Sequence, residues 1–288
     1  MPQRRTDLAL EAHELRRGKA DALPGAAVSE RESFGYRVTA VKITAQSAAR
    51  ALGKPEGTYV TLDLGAKPSV EDAANAVAEE LRALLGDGAR SALVVGLGND
   101  AMTPDAVGTR AAEHVLVTRH LTQEPPFASF AAVSVLTPGV LGRTGIEAAE
   151  TVRGAVRAAK PDVVIAVDAL AARSLSRLCT TVQLSDTGIV PGSGVGNHRH
   201  ALDRASLGVP VIALGVPTVV DAGTLALDVL EEAGAEIDDP AALRGHEGVM
   251  VTTRDIDAQI CALARVIGYG VNLALQPLDF AALCELMG

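Results

Sequence analysis

The chain of 288 residues predicts an α/β fold, a mostly parallel sheet covered by helices on both faces, and three observations carry that prediction. From Ser91 onward, short Val- and Leu-rich runs alternate with segments of helical period, the pattern of strands joined by crossover helices. The runs are apolar on both alternating positions, as expected of strands buried on both faces. Hydrophobic residues make up 48% of the chain while aromatics make up only 2% and Trp is absent, so the core must be built from Ala, Val and Leu. Such small side chains suit helices lying close on a parallel sheet.

In chain order, residues 1–30 read as an N-terminal arm, a possible short propeptide, with a short helix from Asp7 to Arg16. Residues 31–288 read as a single α/β domain. Ser33–Thr44 and Gly57–Leu64 alternate polar with apolar and predict two strands that pair antiparallel at one edge. Ser69–Leu85 predicts a helix: Ser69 caps it, Glu71 and Asp72 fall in its first turn, and Val70, Ala74, Val77, Leu81 and Leu84 form one apolar face. Ser91–Leu97 is the next strand, followed after a Gly-rich loop by a helix over about 104–120, with Thr103 as cap and Pro104 at its first position. Ala131–Leu136 is a strand. Thr144 and Glu147 have capping-box spacing for a helix reaching Ala159, which Pro161 ends. Val163–Val167 is a strand ending on Asp168, with a helix expected over about 169–178. Thr180–Leu184 is a strand, Asp186–Asn197 a Gly-rich loop, Val209–Leu214 a strand and 218–233 a helix. Gly234–Gly248 reads as a loop, and Thr252–Leu275 as one long helix.

Bulk properties narrow the function. A net charge of −9 offers no non-specific grip on nucleic acid or on an anionic membrane. Cys179, Cys261 and Cys284 are odd in number and lack CxxC spacing, so a disulfide framework is not expected and a cytoplasmic setting is. No apolar run is read as long enough to span a bilayer.

Asp105 and Asp168 are the leading chemical pair. Each follows the C-terminal end of its own strand, where open α/β sheets place their sites. If the strands adjoin, the two carboxylates converge, one keeps a proton, and the pair can run acid/base chemistry on a water. A structural role stays open for both, since an Asp in a first helical turn or at a strand end is also an ordinary cap. Gly96 to Ala101 fits a permissive dinucleotide-binding pattern, but Thr103-Pro104 starts the helix later than that fingerprint requires. In the loop Asp186–Asn197, Gly192, Ser193, Gly194 and Asn197 could wrap a peptide backbone, or the glycines could simply serve positive φ. Ser193 lacks the GxSxG frame of a hydrolase elbow. His198 and His200 could hold a metal or form a solvated basic patch around Arg199. His114 and His120 do not share a helix face.

Several stretches together resemble the germination protease family: RTDLALEAHE at 5–14, VVGLGNDAMTPDAVG at 94–108, TPGVLGRTGIE at 137–147, KPDVVIAVDALAARS at 160–174, TTVQLSDTGIVPGSGVGNHR at 180–199 and LGVPVIALGVPTVVDA at 207–222. The resemblance implies a phosphorylase/hydrolase-like three-layer αβα fold, related to hydrogenase maturation peptidases. It implies an atypical aspartic endopeptidase, without cofactor, whose essential acids map to Asp105 in TPDAVG and Asp168 in VDALA. In the related maturation peptidases these positions help bind a metal, so a metal-dependent peptidase is the alternative mechanism, and a non-catalytic ligand-binding α/β domain the alternative class. The family also implies small acid-soluble spore proteins as substrates, cut after an acidic residue and before a hydrophobic one followed by Ala. It implies a homotetramer in the spore core, made as a zymogen. Thr6-Asp7-Leu8-Ala9 fits the cutting pattern, which makes Asp7–Leu8 the expected processing bond, although Arg4 and Arg5 stand where family sites often carry an acid. The stretch from about Gly234 to Val249 is shorter than in the family.

Overall fold

The computed structural model describes residues 6–17, 23–86, 89–192, 200–234 and 248–287. The chain begins with α1 (Ala9–Arg17), β1 (Ala26–Ser33), β2 (Tyr36–Ile43), α2 (Gln46–Leu52), β3 (Gly57–Asp63) and α3 (Val70–Leu85). It continues through β4 (Ser91–Gly96), α4 (Val107–Glu113), β5 (Ala132–Leu136), α5 (Leu141–Thr144), α6 (Ala148–Ala159) and β6 (Val163–Ala172). Then come β7 (Thr181–Ser185), α7 (Arg204–Leu207), β8 (Val211–Asp221), α8 (Ala222–Glu232), β9 (Met250–Val251), α9 (Ile256–Leu275) and α10 (Phe280–Met287).

Among the described residues, nine strands belong to one sheet in the order β1-β2-β3-β7-β8-β6-β4-β5, with β9 paired to β8. The expected α/β architecture is present, and its parallel part is the run β8-β6-β4-β5. The other pairings, from β1 across to β8 and between β8 and β9, are antiparallel, so the sheet is mixed. The predicted antiparallel pair of strands is β2 with β3, extended outward by β1. β1 is mostly exposed, with no apolar alternation to announce it.

Strand periodicity sorts the core into two faces. On one face, Val94, Ile165, Val167 and Leu214 pack against α3 and α9 through Val77, Leu81, Ile260 and Ile267. On the other, Leu93, Val95, Val164 and Ala166 meet Val152 and Val156 of α6. Further along that second face, α1 and α2 lie over β2 through Ala12, Ala48, Leu52, Val41 and Ile43. Each buried Val or Leu contributes about 1.5–3 kcal/mol. Small residues let α3 and α9 approach closely: a Cβ on Gly270 would stand 2.6 Å from a Val77 methyl.

Several boundaries differ from expectation for physical reasons. Ser69 does cap α3, accepting from Asp72 N. Thr144, however, ends α5, and Glu147 precedes α6 without a side-chain cap bond, so the capping-box spacing there is coincidental. The expected helix over 104–120 is a 3₁₀ turn, Thr103–Asp105, followed by the short α4. β6 does not stop at Asp168 but runs to Ala172, because β8 continues alongside it to Val220; only the 3₁₀ turn Leu175–Arg177 stands where a helix was expected. α9, at 20 residues, is long and apolar enough to cross a membrane by length and composition, contrary to the reading above. Most of its apolar window is buried inside this protein, and Ile260, Leu263 and Ile267 belong to its core.

Two predictions arise from this packing. Gly108 of α4 lies so close to the sheet that a Cβ would collide with the carbonyls of Leu97 and Val167 and approach Leu97 N at 2.7 Å. Gly108→Ala should therefore cost about 3 kcal/mol, read as a lowered denaturant midpoint at unchanged slope. His114 ends α4 beside the Tyr269 ring, and burial lowers its pKa. The unfolded chain then binds the proton more readily, so His114's contribution is complete above about pH 6.5 and is lost as pH falls through the lowered folded value. Unfolding curves across pH 7 to 5 should show this slope, and His114→Gln should flatten it.

Candidate active site

Pairing between β4 and β6 carries through Gly96↔Val167. One further bond, Leu97 N to Val167 O at 2.8 Å, brings the chain to the sheet's edge. Gly98 then turns it back with φ +104°, and a Cβ there would collide with the Asp105 carbonyl. Only glycine fits that turn. The loop closes on itself: Asn99 N donates to Asp105 O at 3.1 Å and to Asp105 Oδ2 at 2.9 Å. Met102 O accepts from Asp105 N at 2.8 Å. Thr103, expected as a cap, instead donates its hydroxyl to Asp257 Oδ1 at 2.9 Å, tying the turn to the start of α9. Arg143 pairs with Asp100 on the outer side. Asp105 is thus held, half-buried, on a turn that packs against both β6 and β8.

Asp168 follows Val167 on β6 and is 5% exposed. Its Oδ1 accepts from Ala169 N at 2.9 Å. Strand alternation puts its side chain on the face of Val164 and Ala166. Asp105 therefore lies on the loop just beyond the end of β4, and Asp168 within β6 beside that end, linked through one backbone hydrogen bond between Leu97 and Val167, the residues that precede Gly98 and Asp168. In the row across the sheet, Asp168 pairs with Gly215 of β8, and Gly215 with Gln183 of β7.

The loop after β7 begins over the same face. Ile189 and Leu202 exchange backbone bonds of 2.9 and 2.8 Å at its base, and Leu202 is buried with Val164 and Ala166. Gly192 takes φ +74°, in keeping with the conformational role open to it. Ser193, Gly194, Asn197 and His198 lie outside the described residues.

Asp7 and Leu8 lie on this face as well. Asp7 N donates to Ala171 O at 2.8 Å, and Asp7 Oδ2 accepts from Ala171 N at 2.9 Å. Leu8 is fully buried against Leu170, Ala172, Leu178 and Val220. Glu11, 1% exposed, accepts from Arg173 N at 2.7 Å and Ser174 N at 3.0 Å. These carboxylate-to-amide bonds pin α1 to the end of β6. Lys54, Gln183 and Glu11 were not singled out from sequence. Their partners just after β6 and on the N-terminal segment stand tens to more than a hundred residues away, apart from Thr6, which donates to Glu11 from five residues before it.

Other side chains and loops have local structural roles. Asp221 Oδ1 accepts from Thr224 N at 2.9 Å and Thr224 Oγ1 at 3.1 Å, which makes it a cap at the start of α8. The Gly96–Ala101 loop spends Asn99 N on Asp105, which leaves it a poor phosphate cradle. Burial pushes the Cys179 thiol up to about 11, far from a thiolate nucleophile at neutral pH. Among the described residues no three His, Cys, Asp or Glu side chains gather as a metal set.

The sequence profile of the germination protease family matches residues 4–239. Germination protease from Caldanaerobacter subterraneus subsp. tengcongensis is 42% identical over 309 residues, spanning 95% of this chain and 94% of that protein. Germination protease from Clostridium perfringens is 40% identical over 311 residues, spanning 95% of each. Among solved structures, a [NiFe] hydrogenase maturation protease, HycI from Thermococcus kodakarensis, superposes with a TM-score of 0.38 at 18% identity, covering 67% of this chain and 99% of its own. With identity at this level along nearly its whole length, the chain belongs to the germination protease family of endopeptidases.

Proposed function

We propose that this endopeptidase starts the digestion of small acid-soluble spore proteins at germination, with Asp105 and Asp168 as its water-activating pair. The observation that carries the reading is that Asp105, on the loop after β4, and Asp168, nearly buried within β6, flank the place where β4 stops pairing with β6. Carboxylates held close in a low-dielectric site cannot both ionise cheaply. One then takes a proton from water as the oxygen attacks the peptide carbonyl, and the other gives a proton to the departing amine. The bond cut joins an acidic residue to a hydrophobic one followed by Ala, and Thr6-Asp7-Leu8-Ala9 carries that pattern within the chain itself. Asp7–Leu8 is accordingly the processing bond of a zymogen. The loop holding Gly192, Ser193, Gly194 and Asn197 steadies the substrate strand through its backbone. The working form is a homotetramer in the cytoplasm of the spore core.

The test is cleavage of a peptide containing Glu-Ile-Ala, read by mass. Asp105→Asn and Asp168→Asn should each lower the rate by about 10²–10⁴-fold or more while leaving the thermal transition in place. Full activity in both would sink the acid pair. Dialysis against a chelator should leave the rate unchanged; a loss restored by a divalent ion would favour the metal-dependent alternative.

A further inference from the structure

Asp7 is the residue whose carbonyl would be attacked if the chain cuts itself at Asp7–Leu8. That carbonyl oxygen accepts from two side chains, Lys54 Nζ at 2.9 Å and Gln183 Nε2 at 3.2 Å. Lys54 comes from the turn after α2 and Gln183 from β7, so the fold brings separate elements to one oxygen. We propose that Lys54 and Gln183 are the groups that polarise the Asp7 carbonyl for the chain's own cut, a role that rests on the peptidase reading above.

The surroundings hold the bond in one place. Asp7 is clamped to Ala171 through its own N–H and one carboxylate oxygen. On the other side Leu8 is sealed among apolar side chains. Gln183 spans the bond: its Nε2 donates to the Asp7 carbonyl before it, and its Oε1 accepts from Ala9 N at 2.7 Å after it. An amide that bridges both flanks of one peptide bond fixes the orientation of the carbonyl between them. Gln183 also stands in the same cross-strand row as Asp168, separated from it by Gly215 alone. Val182 and Leu184 point to the opposite face, as do Leu214, Val216 and Val167, so Gln183 shares the face of Asp168. Neighbouring strands are about 4.8 Å apart, which puts the two backbones about 10 Å from one another, within the combined reach of the side chains and a bound peptide.

The chemistry balances without a co-reactant beyond water. The water oxygen bonds to the Asp7 carbonyl carbon, and negative charge grows on the oxygen facing Lys54 and Gln183. The C–N bond to Leu8 then breaks, and the protons shed by the water leave Asp7 as a carboxylate and Leu8 as an ammonium. Donors aimed at the oxygen before reaction stabilise it most when its charge develops. Burial lowers the Lys54 pKa, while the Asp7 and Glu11 carboxylates oppose that shift and favour the ammonium; in that form Lys54 is the stronger of the two donors, and the new Asp7 carboxylate would stay beside it.

The experiment follows loss of residues 1–7 from the purified full chain by intact mass. Lys54→Met and Gln183→Leu should each slow conversion by about 10²–10³-fold. Gln183→Glu, which keeps the shape and removes the donor, should slow it as Gln183→Leu does, and Lys54→Arg should recover most of the rate lost in Lys54→Met. The wild-type rate should not change with protein concentration, since the bond is held within its own chain. Thermal transitions identify any variant that fails to fold, and the near-isosteric Gln183→Glu and Lys54→Arg then decide. Wild-type conversion rates in the Lys54 and Gln183 variants overturn the inference, and so does a wild-type chain that cuts the Glu-Ile-Ala peptide but never Asp7–Leu8. In both cases the peptidase reading survives. A chain that cuts neither removes both.

Discussion

Direct backbone contact between α4, the end of β4 and the part of β6 beside it is the constraint on which the site depends. α4 approaches these strands where Gly108 faces the carbonyls of Leu97 and Val167, and Gly96 faces the Gly108 carbonyl with no side chain between. Any larger residue would lift the helix from the sheet. Because the helix lies this low, the loop before it must double back, which the positive φ of Gly98 allows. Asp105 is delivered to the edge of the sheet by that reversal and is held there by Asn99 N. The acid's position is thus set by backbone geometry rather than by side-chain packing, and it has little freedom to drift.

The far ends of β6 and β8 have a different task. β6 runs past the end of β4 with β8 still parallel beside it, and these extensions make a platform beyond the end of β4. The N-terminal segment crosses this platform, tied to β6 through Asp7 and to β7 through Ala9. Burial of Leu8 beneath it contributes about 2–3 kcal/mol, and the bonds from Glu11 to Arg173 N and Ser174 N anchor the following helix. A parallel sheet ending at Asp168 would offer this segment nothing to lie on. The feature that departs most from the expected strand boundaries is therefore the one that carries the N-terminus to the face of the proposed catalytic acid.

Legibility varied along the chain with the range of the interactions involved. The helix from Ser69 was readable because its cap, its acidic first turn and its apolar stripe all lie within one segment, and Ser69 does accept from Asp72 N. β4 and the start of β6 were readable because continuous Val and Leu runs bounded by Gly or Pro have few other uses. β1 was not, since an exposed edge strand shows no alternation and is defined by its bonds to β2. Thr144 and Glu147 had the spacing of a cap without its geometry, because Gly145 at φ +71° ends one short helix between them. α9 had the composition of a membrane helix, and only its partners in the core give it another use.

What the amino-acid sequence determined by itself was local and chemical: the α/β class, the helix periods, the glycines that permit a reversal after β4, and two aspartates placed just after strand runs. Tertiary structure alone decided how far β6 extends, since a strand's length depends on what pairs with it. It alone decided that Gln183, Gly215 and Asp168 share one row, and that Lys54 and Gln183 meet at one carbonyl oxygen. Hydrogen bonds between residues 47 and 176 positions apart have no periodic trace in a sequence, because their geometry exists only once the sheet has brought the segments together.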